Sequence, residues 1–245
     1  MSRKLLWALS LLVVASMMLA SCAPAATQAP AAPEVVKETV VVVQEGETVV
    51  ITATPEPVVE ETKTPVLRIN IGTYPDIVDP QKSSFVNEIA HLKLMYEGLT
   101  TYDDKLQTVP GGAEKWEYNA DATVLTFTIR DGLKYSDGSL LNAKRYEYSI
   151  LRNIDPTTAG EYAAITDEIL GAPEWRGSAE DADREALKAA VGVKAVDAAG
   201  NACVDYEQAD CLTLVITLSK PAPYFHTVMG LWVTYPAKEE NITEG

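Results

Sequence analysis

Thr126-Phe127-Thr128-Ile129-Arg130-Asp131-Gly132-Leu133-Lys134-Tyr135-Ser136-Asp137-Gly138 decides how the folded part of this chain is built. Leu125, Phe127 and Ile129 alternate with Thr126 and Thr128, the two-residue period of a strand with one buried face. Asp131-Gly132 and Asp137-Gly138 follow at turn spacing, and Asn119-Ala120-Asp121 supplies a turn before the strand. Strands joined by such tight turns run antiparallel, so the stretch predicts a small antiparallel unit.

The period changes on both sides of this unit. Downstream, Asn142 caps a segment in which Tyr146, Ile150 and Ile154 recur every fourth residue, until Asp155-Pro156 stops it. Tyr162, Ile165 and Ile169 repeat the helical spacing before Gly171, and residues 178–191 read as a second, mostly exposed helix. Residues 192–196 and 212–218 then read as a β-hairpin, with Leu212, Leu214, Ile216 and Leu218 on one face. Upstream, Leu67, Ile69 and Ile71 share one face of a short strand that Gly72 breaks. After a Pro-containing loop, Ser83 or Ser84 is the expected cap of a helix with Phe85, Ile89, Leu92, Tyr96 and Leu99 inward and Gly98 at its end. The fold class is mixed α/β, in a body spanning 66–245.

With 47% hydrophobic residues the 245-residue chain has enough apolar material for a real core. A net charge of −15 argues against nucleic acid, whose phosphates are bound by clustered Lys and Arg. The amino terminus has a different character. Arg3 and Lys4 precede an uncharged apolar run from Leu5 to Ala20, shorter than the roughly 20 residues a bilayer span needs and of the length of a signal peptide core. It ends in Leu19-Ala20-Ser21-Cys22, which resembles the lipobox of bacterial lipoproteins and implies cleavage before Cys22 and lipid on its sulfur, with residues 1–21 removed. Residues 22–65 hold no aromatic residue and read as a lipidated tether of Ala, Pro, Thr, Val and Glu, reaching on the order of 35 Å from the membrane. Within it, residues 39–43 and 48–52 are β-prone around Gln44-Glu45-Gly46-Glu47 and can pair locally.

With Cys22 assigned to lipid, Cys203 and Cys211 remain as an even pair in an exported chain, which favours a disulfide. The alternative, a metal pair, is short of ligands because His91 and His226 are the only histidines.

Several blocks in order are similar to family 5 of the bacterial extracellular solute-binding proteins, the oligopeptide, dipeptide and nickel-chelate binders of ABC importers. Ile77-Val78-Asp79-Pro80 resembles the family's "LDP" segment, Tyr96-Glu97-Gly98-Leu99 its "YEGL", and residues 109–117 its "VPGLAESWE". Residues 126–138 resemble "YTFHLRDGVKWSDG", and the strand before Lys220-Pro221-Ala222-Pro223-Tyr224-Phe225 adds a further block. One departure is Lys144-Arg145, where relatives commonly carry acidic residues. Two cations in a first helical turn oppose the helix dipole unless they find partners.

The resemblance implies a periplasmic binding protein-like type II fold, of which this chain supplies the first lobe with its small antiparallel β subdomain. It implies a substrate-binding component that captures peptides or similar small polar solutes and hands them to ABC permease subunits, without cofactor, metal or catalytic residues. Family members are about twice as long, so the chain reads as an N-terminal part. Ligands gather at strand carboxyl ends in open α/β sheets, which makes Tyr74, Asp76 and Val78 the expected solute-facing wall, with Ser83, Ser84 and Phe85 next and Tyr224 at the approach. Two competing readings are a structural surface lipoprotein, favoured by the long tether, and a hydrolase built on Ser136, Asp137 and His226. No nucleophile elbow supports the second.

Overall fold

The computed structural model describes residues 66–242 and, as backbone, the strands β1 (Thr39–Gln44) and β2 (Glu47–Thr52). The apolar run of residues 5–20 and Cys22 lie outside the described residues. The strands β1 and β2 pair antiparallel with Gln44 opposite Glu47, the local hairpin expected within residues 39–52. They belong to one unit, Met1–Val66, and the remainder of the chain to another, Leu67–Gly245.

In the second unit the first helix is α1 (Val86–Met95). A two-stranded sheet pairs β3 (Thr100–Tyr102) with β4 (Thr108–Pro110). The principal sheet contains β5 (Ala113–Tyr118), β6 (Val124–Ile129), β7 (Val193–Val196) and β8 (Thr213–Thr217), all antiparallel in the order β5-β6-β8-β7. The expected hairpin β7–β8 is thus joined to the expected strand β6 along its free edge, with Phe127 opposite Trp116 on one side and Leu214 on the other.

The inward face of this sheet is the alternation seen in the sequence. Leu125, Phe127, Ile129, Leu214 and Ile216 are fully or almost fully buried, and helix α2 (Ala143–Ile154) lays Tyr146, Ile150 and Ile154 into the same core. Asn142 caps α2 as expected: its Oδ1 accepts from the backbone N–H groups of Lys144 (3.1 Å) and Arg145 (3.3 Å). The two cations of the first turn do find partners. Lys144 donates to Glu147, and Arg145 reaches Glu240 with two hydrogen bonds of 2.5 and 2.8 Å.

Four expectations need correction. Residues 66–71 form no strand, and Val66, Leu67 and Ile69 are exposed, because no described segment offers them a ladder partner. Residues 162–169 make a short 3₁₀ turn, Ala163–Thr166, because α3 (Ala172–Arg176) begins immediately beyond Gly171 at φ +76°. The helix expected over 178–191 is only α4 (Arg184–Ala190), capped by the Asp183 carboxylate. Finally, α1 ends at Met95, so Gly98 is not its terminator.

Gly98 is required by close packing instead. A Cβ there would lie 2.8 Å from the Met229 carbonyl oxygen and 3.1 Å from the Gly230 Cα. Its own carbonyl accepts from the Gly112 N–H (2.8 Å), so the Tyr96–Leu99 and Val109–Glu117 blocks are stitched backbone to backbone. Gly98→Ala is expected to cost about 1–3 kcal/mol in chemical denaturation, since rigid backbone cannot yield to the added methyl. By contrast Gly132 and Gly138, at φ +74° and +90°, are the turn glycines read from the sequence.

Candidate functional site

The loop before α1 is organised by a carboxylate that the sequence reading overlooked. Glu88, almost fully buried, accepts from the backbone N–H groups of Ile77 (3.2 Å), Ser84 (2.9 Å) and Phe85 (3.1 Å). Burial alone would raise its pKa, but these donors outweigh burial and hold the carboxyl below its ordinary range. The N-cap is therefore Phe85, and neither Ser83 nor Ser84 caps the helix. Glu88 at the third helical position is the reaching-back half of a capping box, and counting three residues back from it gives the observed start.

Ser83 has a different role. It is buried, donates to the Ile77 carbonyl (2.9 Å) and accepts from the Asp79 N–H (3.3 Å), which folds the Ile77–Pro80 block over it. Tyr74, Asp76, Val78 and Phe85 are exposed, so the loop gathers most of the expected wall residues around the start of α1. Ser84 is half-buried. Tyr224 sits apart from them, its hydroxyl donating to Glu168 (2.8 Å).

Beside this loop lies an open cavity of about 860 Å³. Four sequence blocks meet there: Val78 and Asp79, then Tyr96 and Glu97, then Leu133–Asp137, and the returning stretch Pro236–Lys238. Arg152 of α2 joins them, its guanidinium holding both Asp79 oxygens at 2.7 Å and Gln81 Oε1 at 2.8 Å. Burial would raise the Asp79 carboxyl, yet the hydrogen bonds and charge of Arg152 prevail and keep it low. Burial also raises the phenols of Tyr96 and Tyr135, leaving both neutral hydroxyls. Tyr135 donates to the carbonyls of Pro236 (3.1 Å) and Ala237 (3.3 Å), and Lys238 pairs with Asp137. The lining combines apolar side chains, neutral hydroxyls and charges of both signs, of which Asp79–Arg152 and Asp137–Lys238 are paired, a chemistry suited to holding a solute.

The groups of the hydrolase reading are not assembled. Ser136 lines the cavity, whereas His226 stacks on Trp116 (ring centroids 5.0 Å apart) and its Nδ1 faces the Tyr118 hydroxyl at 3.1 Å. Burial lowers the His226 pKa, so the folded state favours neutral imidazole. A depressed histidine contributes stability above its unfolded value, about 6.5, and loses it as pH falls through the folded value. His226→Gln is therefore expected to flatten the decline in urea stability between pH 7 and pH 5, without turnover on ester or peptide substrates in either protein.

Cys203 and Cys211 are joined in a disulfide, with Cα atoms 5.9 Å apart. Among the described residues no three His, Cys, Asp or Glu side chains gather as a metal site.

Residues 107–245, more than half the chain, match the model of "Bacterial extracellular solute-binding proteins, family 5 Middle". The chain belongs to this family. Among its curated relatives, the periplasmic oligopeptide-binding protein of Escherichia coli (strain K12) is 35% identical over 163 residues, covering 65% of this chain and 26% of the relative. The periplasmic murein peptide-binding protein of the same organism is 31% identical over 176 residues, covering 72% and 29%. The solved structure of the Haemophilus influenzae oligopeptide-binding protein in complex with the peptide RPPGFSPFR superposes with TM-score 0.57 at 26% identity, over 70% of this chain and 30% of that one. The family 5 chain thus spans less than a third of these relatives' length. Its mixed α/β architecture is part of the type II periplasmic binding protein-like fold.

Proposed function

We propose that this chain contributes the first lobe of the substrate-binding component of an ABC importer, which captures peptides or similar small polar solutes outside the membrane and delivers them to permease subunits. The observation that carries the reading is the meeting of three family-like blocks, with the returning stretch Pro236–Lys238, around one open cavity, in a chain whose relatives are named as peptide binders. The exposed loop residues Tyr74, Asp76 and Val78, together with the cavity wall at Tyr96 and Tyr135, make the solute-facing surface of this lobe. Ser84 and Phe85 flank it and Ser83 shapes it from beneath, while Tyr224, bonded to Glu168, does not line the cavity. Solute held between this lobe and a second one favours a closed form through contacts better made when closed. Binding needs no covalent chemistry and no cofactor.

We further propose that residues 1–21 are a signal peptide and that lipid on Cys22 moors the protein at the outer face of the cytoplasmic membrane or in the periplasm, with residues 23–65 as the tether. A single acyl chain anchors marginally and two or three anchor firmly. Labelling the producing cells with radioactive palmitate is expected to tag the wild type and leave Cys22→Ala unlabelled; label on the variant contradicts the anchor.

The function is tested by calorimetry on the full-length gene product. Saturable heats with a library of tri- to pentapeptides support the importer reading. Silence across peptide, sugar and metal-chelate libraries favours a structural surface lipoprotein instead.

A further inference from the structure

The block that decides the fold holds two Asp-Gly pairs, Asp131-Gly132 and Asp137-Gly138, in closely similar backbone settings. Gly132 and Gly138 both adopt positive φ, +74° and +90°, and a Cβ at either would meet nothing within 4 Å. Both pairs lie on the surface, and the Asp137 side chain, though bonded, is still 52% exposed. Access to water therefore does not separate them. Asp-Gly is a chemically special sequence, because glycine has no side chain to keep its amide nitrogen away from the preceding carboxyl carbon.

Hydrogen bonding does separate the two pairs. The Asp137 carboxylate pairs with Lys238 and accepts from the Ser139 N–H (3.1 Å) and hydroxyl (2.7 Å), while the Gly138 N–H donates to the Tyr135 carbonyl (2.9 Å). Lys238 first and Ser139 next hold the Asp137 carboxyl well below the usual carboxylate range, so the protonated form that can lose hydroxyl as water is scarce. Among the described residues, no hydrogen bond or ion pair reaches the Asp131 carboxylate or the Gly132 N–H.

We propose that Asp131-Gly132 is a site of spontaneous covalent modification in the folded protein, the aspartate isomerising through a succinimide, and that the contacts of Asp137-Gly138 hold that pair back from the same reaction. The Gly132 amide nitrogen attacks the protonated Asp131 side-chain carboxyl carbon. A C–N bond forms, the amide hydrogen and the carboxylic hydroxyl leave as water, and a five-membered ring closes. One water then opens the ring at either carbonyl and gives aspartate or isoaspartate, without oxidant, reductant or enzyme. The rate follows how readily nitrogen and carboxyl carbon reach attack geometry, which the bonds of Asp137 and Gly138 prevent. The isoaspartyl product carries one extra main-chain atom between β6 and Leu133, whose carbonyl accepts from the Leu141 N–H (3.0 Å). Under the function proposed above this displaces the cavity wall at Tyr135, and that consequence alone rests on that reading.

Incubation of the purified chain in water enriched in oxygen-18 at pH 6 tests the proposal without any solute, because each passage through the ring places one solvent oxygen on the aspartate. Cleavage after lysine gives one peptide for each pair, residues 116–134 and 135–144, and tandem mass spectrometry assigns the label to its residue. In the folded chain Asp131 is expected to gain label at least about tenfold faster than Asp137. In urea the two rates are expected to converge, since both are Asp-Gly. Ser139→Ala with Lys238→Ala is expected to bring Asp137 toward the Asp131 rate, and each single variant to move it part of the way. Asp131→Glu, which would need a six-membered ring, is expected to remove the label at that position. Equal rates at the two aspartates in the folded chain, label at neither while both react in urea, or an Asp137 rate unmoved by all three variants each overturn the proposal.

Discussion

Phe127→Ala is expected to lower the unfolding free energy by about 3–5 kcal/mol, the range for removing a fully buried aromatic side chain. Phe127 is completely buried on β6, an inner strand of the principal sheet, between Trp116 and Leu214 in register. Deleting its ring loses the transfer energy of the apolar surface and leaves a void among residues held by both neighbouring strands and by α2. A domain of this size is stable by only about 5–15 kcal/mol, so the loss is a large fraction of the total. Urea unfolding followed by fluorescence measures it. A loss below about 1 kcal/mol would place Phe127 outside the core.

Arg152→Met is expected to cost about 3 kcal/mol at neutral pH, the low end of the range for breaking a buried pair, because the Asp79 side chain keeps some contact with water. Methionine matches the stem of arginine but leaves Asp79 and Gln81 without the guanidinium. With its charge partner gone, only the Gln81 N–H and the Lys82 charge still oppose burial, and the Asp79 carboxyl rises from its depressed value. In the wild type the depressed carboxyl contributes stability above its unfolded pKa and loses it as pH falls through the folded value. The gap between variant and wild type is therefore widest at pH 7 and narrows toward acid. Arg152→Lys is expected to restore only part of the loss, since ammonium cannot reproduce the fork to both oxygens of Asp79. Denaturation at pH 7 and pH 4 checks both statements, and an equal loss at the two values would contradict them.

The elements that the sequence made legible are those in which one local rule acts alone. Leu125, Phe127 and Ile129 alternate because one face of β6 is buried, and Asn142 caps α2 because its side chain fits the free N–H groups. Gly132 and Gly138 have no close neighbours and mark turns by backbone conformation, which any Asp-Gly pair advertises. The misreadings came where two rules competed or a distant partner decided. Ser83 and Ser84 resemble caps, but Glu88 reaches back to Phe85 and sets the helix start. Gly98 resembles a helix end, but it is small because Met229 and Gly230 press against it from far along the chain. Leu67, Ile69 and Ile71 carry strand periodicity, and periodicity alone cannot supply a neighbour to pair with.

The candidate site divides in the same way. The exposure of Tyr74, Asp76 and Val78 follows from the Pro-containing loop read in the sequence, but the strand whose carboxyl end was to place them does not form. The pairing of Asp79 with Arg152 joins residues from separate blocks, and no local spacing announces it. Nor does spacing announce the return of Pro236–Lys238 beside Tyr135.

The central claim, that the cavity and its adjoining loop face the solute, is tested most directly by amide exchange on the full-length gene product with and without a library of tri- to pentapeptides. The account predicts slowed exchange at residues 74–79, at Tyr96 and at Tyr135, with the outer surface of α4 unchanged. Saturable peptide binding with no protection at those residues would contradict it.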